Sequence, residues 1–172
     1  LLFPQDIVGG SFWLISLAMI GAAIFFFLER GRLSKKWNTV MTLLGVIALM
    51  SSIHYCYAKN LWVMNGQAPI ALRYIDWTLT FPLQILTFYV MLISVTDVKR
   101  GMFWRLLVGT LVWVIAQFLG ASGYMSVTLG FLVGLVGWLY IIGELYMGDA
   151  GRRNAACGNE HVQMAFFANR LI

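Results

Sequence analysis

The sequence predicts an all-α, multi-pass membrane protein, on three observations. Sixty per cent of its residues are hydrophobic and 11% are charged, where soluble domains carry roughly 25% charged residues. The apolar residues gather into five runs, each long enough to cross a bilayer core, which takes about 20 helical residues. The Lys and Arg residues fall in short clusters between those runs. A soluble protein of this size would need a charged surface that this composition does not supply.

Spanning helices are expected near residues 10–28, 39–58, 70–93, 103–121 and 124–146, with the start of a sixth over 161–172. The connections, 29–38, 59–69, 94–102, 120–123 and 148–160, are short and polar. None of them marks a domain boundary. Residues 1–172 are therefore expected to form a single transmembrane domain, incomplete because the sixth run stops before it could span. In the fifth segment Gly130, Gly134, Gly137 and Gly143 suit close helix packing in lipid.

Charge sets the orientation. Arg30, Arg32, Lys35, Lys36, Lys99, Arg100, Arg105, Arg152 and Arg153 lie in or beside the first, third and fifth connections, against Lys59 alone in the second and none in the fourth. The positive-inside rule then puts the N-terminus outside and the first connection in the cytoplasm. The net charge of +5 is clustered rather than striped, which argues against a nucleic-acid partner. Cys56 and Cys157 have neither metal-ligand spacing nor disulfide density, and they are expected at opposite faces, too far apart to bridge. No metal site is expected. The chain shows neither an initiator Met nor a basic n-region, so no signal peptide is visible in it.

Chemistry concentrates in the third segment, Arg73-Tyr74-Ile75-Asp76-Trp77-Thr78-Leu79-Thr80-Phe81-Pro82-Leu83-Gln84. An arginine and an aspartate inside a spanning helix are costly and mark a functional place by default. At 100° per residue, with Asp76 as zero, Arg73 falls at about 60°, Thr80 at about 40°, Gln84 at about 80° and Thr87 at about 20°. These residues share one face, while Ile75, Leu79, Leu86 and Val90 take the others. A structural ion pair explains Arg73 and Asp76 alone; a polar stripe continuing for about 16 Å suits a lined path or the pocket of a polar ligand. Burial and the charge of Arg73 act on the proton affinity of Asp76 in opposite senses, so a further cation in the pocket can set it. Such a carboxylate is a natural proton acceptor.

His54, in the second segment, is expected near its outer end and at nearly the depth of Asp76, either as an interfacial side chain or hydrogen-bonded to that carboxylate. Pro82 removes one backbone hydrogen bond mid-helix, as a plain kink or as a functional one.

The run Arg73-Tyr74-Ile75-Asp76-Trp77 followed by Thr80, Pro82 and Leu83 resembles the third helix of the microbial (type 1) rhodopsins, and their proteorhodopsin branch in particular. The resemblance extends to Ser11-Phe12-Trp13-Leu14, Phe25-Phe26-Phe27-Leu28-Glu29-Arg30, His54-Tyr55, Leu106-Leu107-Val108-Gly109, Trp138-Leu139-Tyr140 and Glu144-Leu145. It implies a seven-helix bundle with retinal as cofactor, in a prokaryotic inner membrane. It also implies that Asp76 is the Schiff-base counterion and primary proton acceptor, that His54 pairs with it, and that Arg73 lies on the outward proton path. Trp77 and Trp138 resemble the tryptophans that sandwich the polyene. Thr80 falls on the pocket face, and Gln84 occupies the colour-tuning position with an amide like that of the blue-absorbing members.

Three departures qualify this. Thr87 stands where proton-pumping members usually carry a carboxylic donor, and a threonine hydroxyl does not ionise usefully near neutral pH. Trp113 and Gln117 stand beside the expected retinal where smaller or softer residues are usual. Lys35, Lys36, Lys59 and Lys99 all lie in connections or at helix ends, so the attachment lysine is not expected in this chain.

The expected function is a light-driven outward proton pump, not an enzyme, with lipid, retinal, protons and a homo-oligomer as its associations. A slow-cycling photosensor and an inactive truncated fragment are the alternatives. The family's chloride pumps lack the carboxylate of Asp76, and its sodium pumps carry a different Asn-Asp-Gln pattern.

Overall fold

A computed structural model describes residues 6–67, 70–94 and 97–170; the last two residues of the expected sixth run lie outside it. The helices are α1 (Ile7–Glu29), α2 (Lys35–Asn65), α3 (Ile70–Ile93), α4 (Arg100–Ala121), α5 (Val127–Tyr146), α6 (Asp149–Ala156) and α7 (Glu160–Arg170), with a 3-10 turn at Arg30–Arg32. Five are long and apolar enough to cross a membrane.

The ends follow local chemistry. Asp6 caps α1, its Oδ1 accepting from the Gly9 amide at 2.8 Å, and Ser126 caps α5 through the Leu129 amide at 3.3 Å. The second helix runs past the expected residue 58 to Asn65 and stops at Gly66, whose φ of 65° closes the last turn. With 31 residues it is about 46 Å long, against a hydrocarbon core of about 30 Å. Hydropathy falls at Lys59 and Asn60, but a helix needs no lipid to continue, so the stop is set by glycine. His54 consequently sits 11 residues before the helix end, well inside the helix rather than near its terminus. The last connection, expected as a loop, contains α6.

The chain forms two compact units, Leu1–Thr80 and Phe81–Ile172. In the first, α1 and α2 pack antiparallel. Ser16 Oγ donates to the Ser52 carbonyl at 3.0 Å and lies 2.9 Å from Cys56 Sγ. At one end Trp62 donates its indole N–H to both oxygens of Asp6 at 3.1 Å, and Lys59 Nζ lies 4.6 Å from the centre of the Trp13 ring. At the other, Phe27 covers Gly45 so closely that a Cβ there would lie 2.9 Å from its ring.

In the second unit α4 and α5 pack antiparallel through glycine. A Cβ on Gly130 would come within 2.8 Å of the Ala116 carbonyl and of Gly120 Cα, and one on Gly137 within 2.9 Å of the Trp113 amide nitrogen. Gly134 faces the Gln117 side chain at 3.0 Å, whereas Gly143 faces open space. Three of the four glycines expected at a helix contact are therefore there. Ile85, Phe88 and Leu92 of α3 pack with Met102, Leu106, Ile141, Leu145 and Ala150 into the buried core of this unit.

Gly130→Ala should therefore force two backbones apart, at a cost of about 1–3 kcal/mol, while Gly143→Ala should change stability by less than about 1 kcal/mol. Denaturant titration of both variants, followed by circular dichroism, checks the contrast.

Candidate functional site

In the first unit the aspartate of α3 faces a cavity of about 330 Å³ lined by Phe12, His54, Tyr55, Ala58, Arg73, Asp76 and Trp77. Helical spacing brings them together. Arg73, Asp76 and Trp77 lie within two turns of α3; His54 and Ala58 are one turn apart on α2, with Tyr55 beside them; Phe12 comes from α1. The rings are interlocked: Tyr74 meets Trp77 edge-on at 5.4 Å, Tyr55 meets His54 at 5.7 Å, and Phe12 lies 6.2 Å from Tyr55.

Asp76 is only 8% exposed, yet among the described residues no hydrogen bond or ion pair joins its carboxylate to Arg73 or His54. Side chains three apart on a helix lie about 5–6 Å from each other at Cβ, so Arg73 is within reach and still unpaired with it. The structural ion pair and the direct histidine bond that the sequence left open are both absent. His54 and Asp76 line the same cavity. Arg73 is exposed.

The threonines of α3 are satisfied within their own helix. Thr80 donates to the Asp76 carbonyl at 2.9 Å, Thr78 to Tyr74 at 2.7 Å and Thr87 to Leu83 at 2.8 Å. Each hydroxyl keeps its lone pairs for a further partner but has already placed its proton. Thr80 and Thr87 are buried, Thr87 being 2% exposed.

The remaining candidates belong to the second unit. Gln84 is half-buried. Trp113 is half-buried with its ring 4.8 Å from Phe81, and Trp138 is 42% exposed. Sequence reasoning did not single out Phe12, Tyr55 and Ala58 as site residues; they come from α1 and α2 and reach the cavity of Asp76 only through packing between helices. It also missed a charged cluster in which Arg105 Nη2 binds Glu144 at 2.9 Å and Asp149 at 2.7 Å.

The chain is similar to known rhodopsins over nearly its whole length. It is 42% identical over 168 residues to a blue-light absorbing proteorhodopsin of Gamma-proteobacterium Hot 75m4, covering 98% of this chain and 66% of that one. It is 38% identical over 162 residues to a green-light absorbing proteorhodopsin of Gamma-proteobacterium EBAC31A08, covering 94% and 65%. The chain thus spans just under two thirds of the length of these relatives. The crystal structure of a blue light-absorbing proteorhodopsin from Med12 superposes with a TM-score of 0.75 at 39% identity, covering 84% of this chain and 69% of that one. Exiguobacterium sibiricum rhodopsin gives a TM-score of 0.80 at 22% identity over 95% and 72%, a likeness of fold alone. A family profile described as bacteriorhodopsin-like protein matches residues 7–163, and the chain belongs to that family.

Proposed function

We propose that the complete protein is a light-driven outward proton pump that uses retinal, with Asp76 as counterion and proton acceptor and water in place of a carboxylic donor. The observation that carries this is the buried, unpaired carboxylate of Asp76 on a cavity that Arg73 and His54 also line. A membrane-embedded carboxylate needs a cation. When bound, retinal supplies that cation as a protonated imine, together with light-driven isomerisation.

The residues of this chain then divide the task. Asp76 balances the positive charge in the dark and takes up a proton at its carboxylate. His54, across the cavity, tunes how tightly that proton is held. Arg73, on the outer side in the proposed orientation, lies on the path by which the proton leaves, and its charge favours the ionised form of Asp76. Trp77, Thr80, Gln84, Trp113 and Trp138 are assigned to the lining of the chromophore pocket. The names of its relatives, blue- and green-light absorbing proteorhodopsins, support retinal as the cofactor. The covalent lysine anchor is assigned to the part of the relatives that this chain does not span. We read residues 1–172 as one rhodopsin domain in a prokaryotic inner membrane, N-terminus outward.

Thr87 favours a second reading. Its hydroxyl proton is bound to the Leu83 carbonyl, and its side chain cannot act as a donor acid. Reprotonation is then slow, and a slow cycle suits a photosensor.

Two measurements on the complete, retinal-bound protein separate these readings. Asp76→Asn should abolish the deprotonated photointermediate, and Thr87→Glu should shorten its lifetime by roughly tenfold or more, within the range of general acid catalysis. Light-driven acidification of a cell suspension by the unaltered protein, lost in Asp76→Asn, supports the pump. No acidification despite a normal photointermediate supports the sensor.

Gln84→Leu should shift absorption to the red, since it removes a dipole beside the polyene; an unchanged spectrum removes Gln84 from the pocket. In intact cells Cys157 should react with a membrane-impermeant thiol reagent only after lysis. Reaction before lysis reverses the proposed orientation.

A further inference from the structure

In the second unit the short helix α6 is tied down at three places. Asp149, its first residue, binds Arg105 of α4 at 2.7 Å. Ala150, 1% exposed, sits in the core with Met102 and Leu106. Arg153 donates to the Asp97 carbonyl in the connection before α4. From these contacts we infer that α6 is a strap, closed over this end of α4 and α5 by an Arg105–Asp149 clasp and poised to open about Gly148.

The clasp has a fixed half and a releasable half. Glu144, in the last turn of α5, is largely buried and binds the same Nη2 of Arg105 at 2.9 Å. Arg105 therefore keeps a partner on the α4–α5 pair whether α6 is closed or not. Asp149 is half-exposed, so water can take over its carboxylate on release. When closed, Arg105 is shared by two carboxylates, with Arg152 and Arg153 of α6 also near Asp149; when open, Arg105 keeps its pair with Glu144 and water takes Asp149. Both arrangements are electrostatically satisfied, which is what a two-state element requires.

The closed state also carries a defect. Asn154 is 4% exposed, and its Oδ1 is buried without a hydrogen-bond partner. Opening the strap would give that oxygen water, so the penalty for burying an unsatisfied acceptor works against closure. Ala150 lies four residues before Asn154 on the same face of α6, so the contact that closes the strap and the atom that opposes closure move together. The hinge is crowded as well. A Cβ on Gly148 would lie 2.5 Å from Glu144 Oε2 and 2.7 Å from Glu144 Cα, so only glycine lets the chain turn there while Glu144 holds Arg105.

Cys157, the residue that ends α6 and half-exposed, reports the strap without an added probe. In the complete protein, in the dark, Asp149→Asn should raise the rate of Cys157 alkylation by N-ethylmaleimide by about twofold to fivefold, the range expected from losing a half-exposed ion pair. Asp149→Glu should restore the slow rate, and Asn154→Ala should lower it below that of the unaltered protein. Salt gives a test that needs no substitution: at about 1 M the screening length falls to about 3 Å, and the rate should rise in the unaltered protein but not in Asp149→Asn. An alkylation rate that ignores both salt and Asp149→Asn overturns the clasp. So does a rise in Asn154→Ala accompanied by an unchanged circular dichroism spectrum.

Discussion

A carboxylate buried in a membrane-spanning helix is the constraint around which the first unit is arranged. Isolated in a low-dielectric interior, an ionised carboxylate costs several kcal/mol even after relaxation. Asp76 does not escape this through its own neighbours: Arg73, one turn away on the same helix, makes no ion pair with it, and His54 makes no hydrogen bond. The space that such a contact would fill is instead a cavity edged by Phe12, Tyr55 and Trp77. A ring-lined cavity that also presents a carboxylate, a guanidinium and an imidazole suits a ligand with both an apolar part and a cationic group.

The α1–α2 pairing that builds the wall of this cavity depends on a different economy of polar groups. Ser16 and Ser52 are buried at the helix contact with Cys56 half-buried beside them, and there they bond to one another and to backbone. Small polar side chains of this kind let helices approach and hold register without charge. In the second unit glycine serves the same end, with Gly120, Gly130 and Gly137 placing backbone against backbone. The two helix pairs thus reach close contact by two routes, one hydrogen-bonded and one steric.

Much of this was legible in the sequence, for identifiable reasons. The five spanning helices follow from hydropathy because lipid demands continuous apolar helix. Arg73, Asp76 and Trp77 could be placed together because all three lie on one helix, where spacing alone fixes geometry. Phe12 and Ala58 could not, since they reach the cavity only through packing between helices. The end of α2 was misplaced because a fall in hydropathy at Lys59 signals the membrane surface, not the end of the helix; Gly66 was the stop. The eight residues of α6 carry too little apolar surface to register as a helix. Its signal was subtler: Ala150 and Asn154 four apart, with Gly148 and Gly158 at either side.

The threonines show where a polar pattern misleads. A stripe containing Thr80 and Thr87 suggests groups waiting for a ligand, yet both hydroxyl protons are held by carbonyls one turn back. Side-chain to backbone bonding of this kind is how a membrane helix carries hydroxyls cheaply, so their presence alone is weak evidence for a path. What distinguishes Asp76 is that it has no such local solution, because a carboxylate offers no proton to a carbonyl when ionised. The contrast with Arg105 sharpens this. At the half-exposed end of α4, where an ion pair contributes only about 0–1 kcal/mol, the protein forms two. Beside Asp76, where removal from water makes pairing matter far more, it forms none with Arg73. Reach does not explain the difference, since both arginines have carboxylates within the span of their side chains. A charge left unpaired at the costlier of two places is the feature that most favours a cationic ligand there.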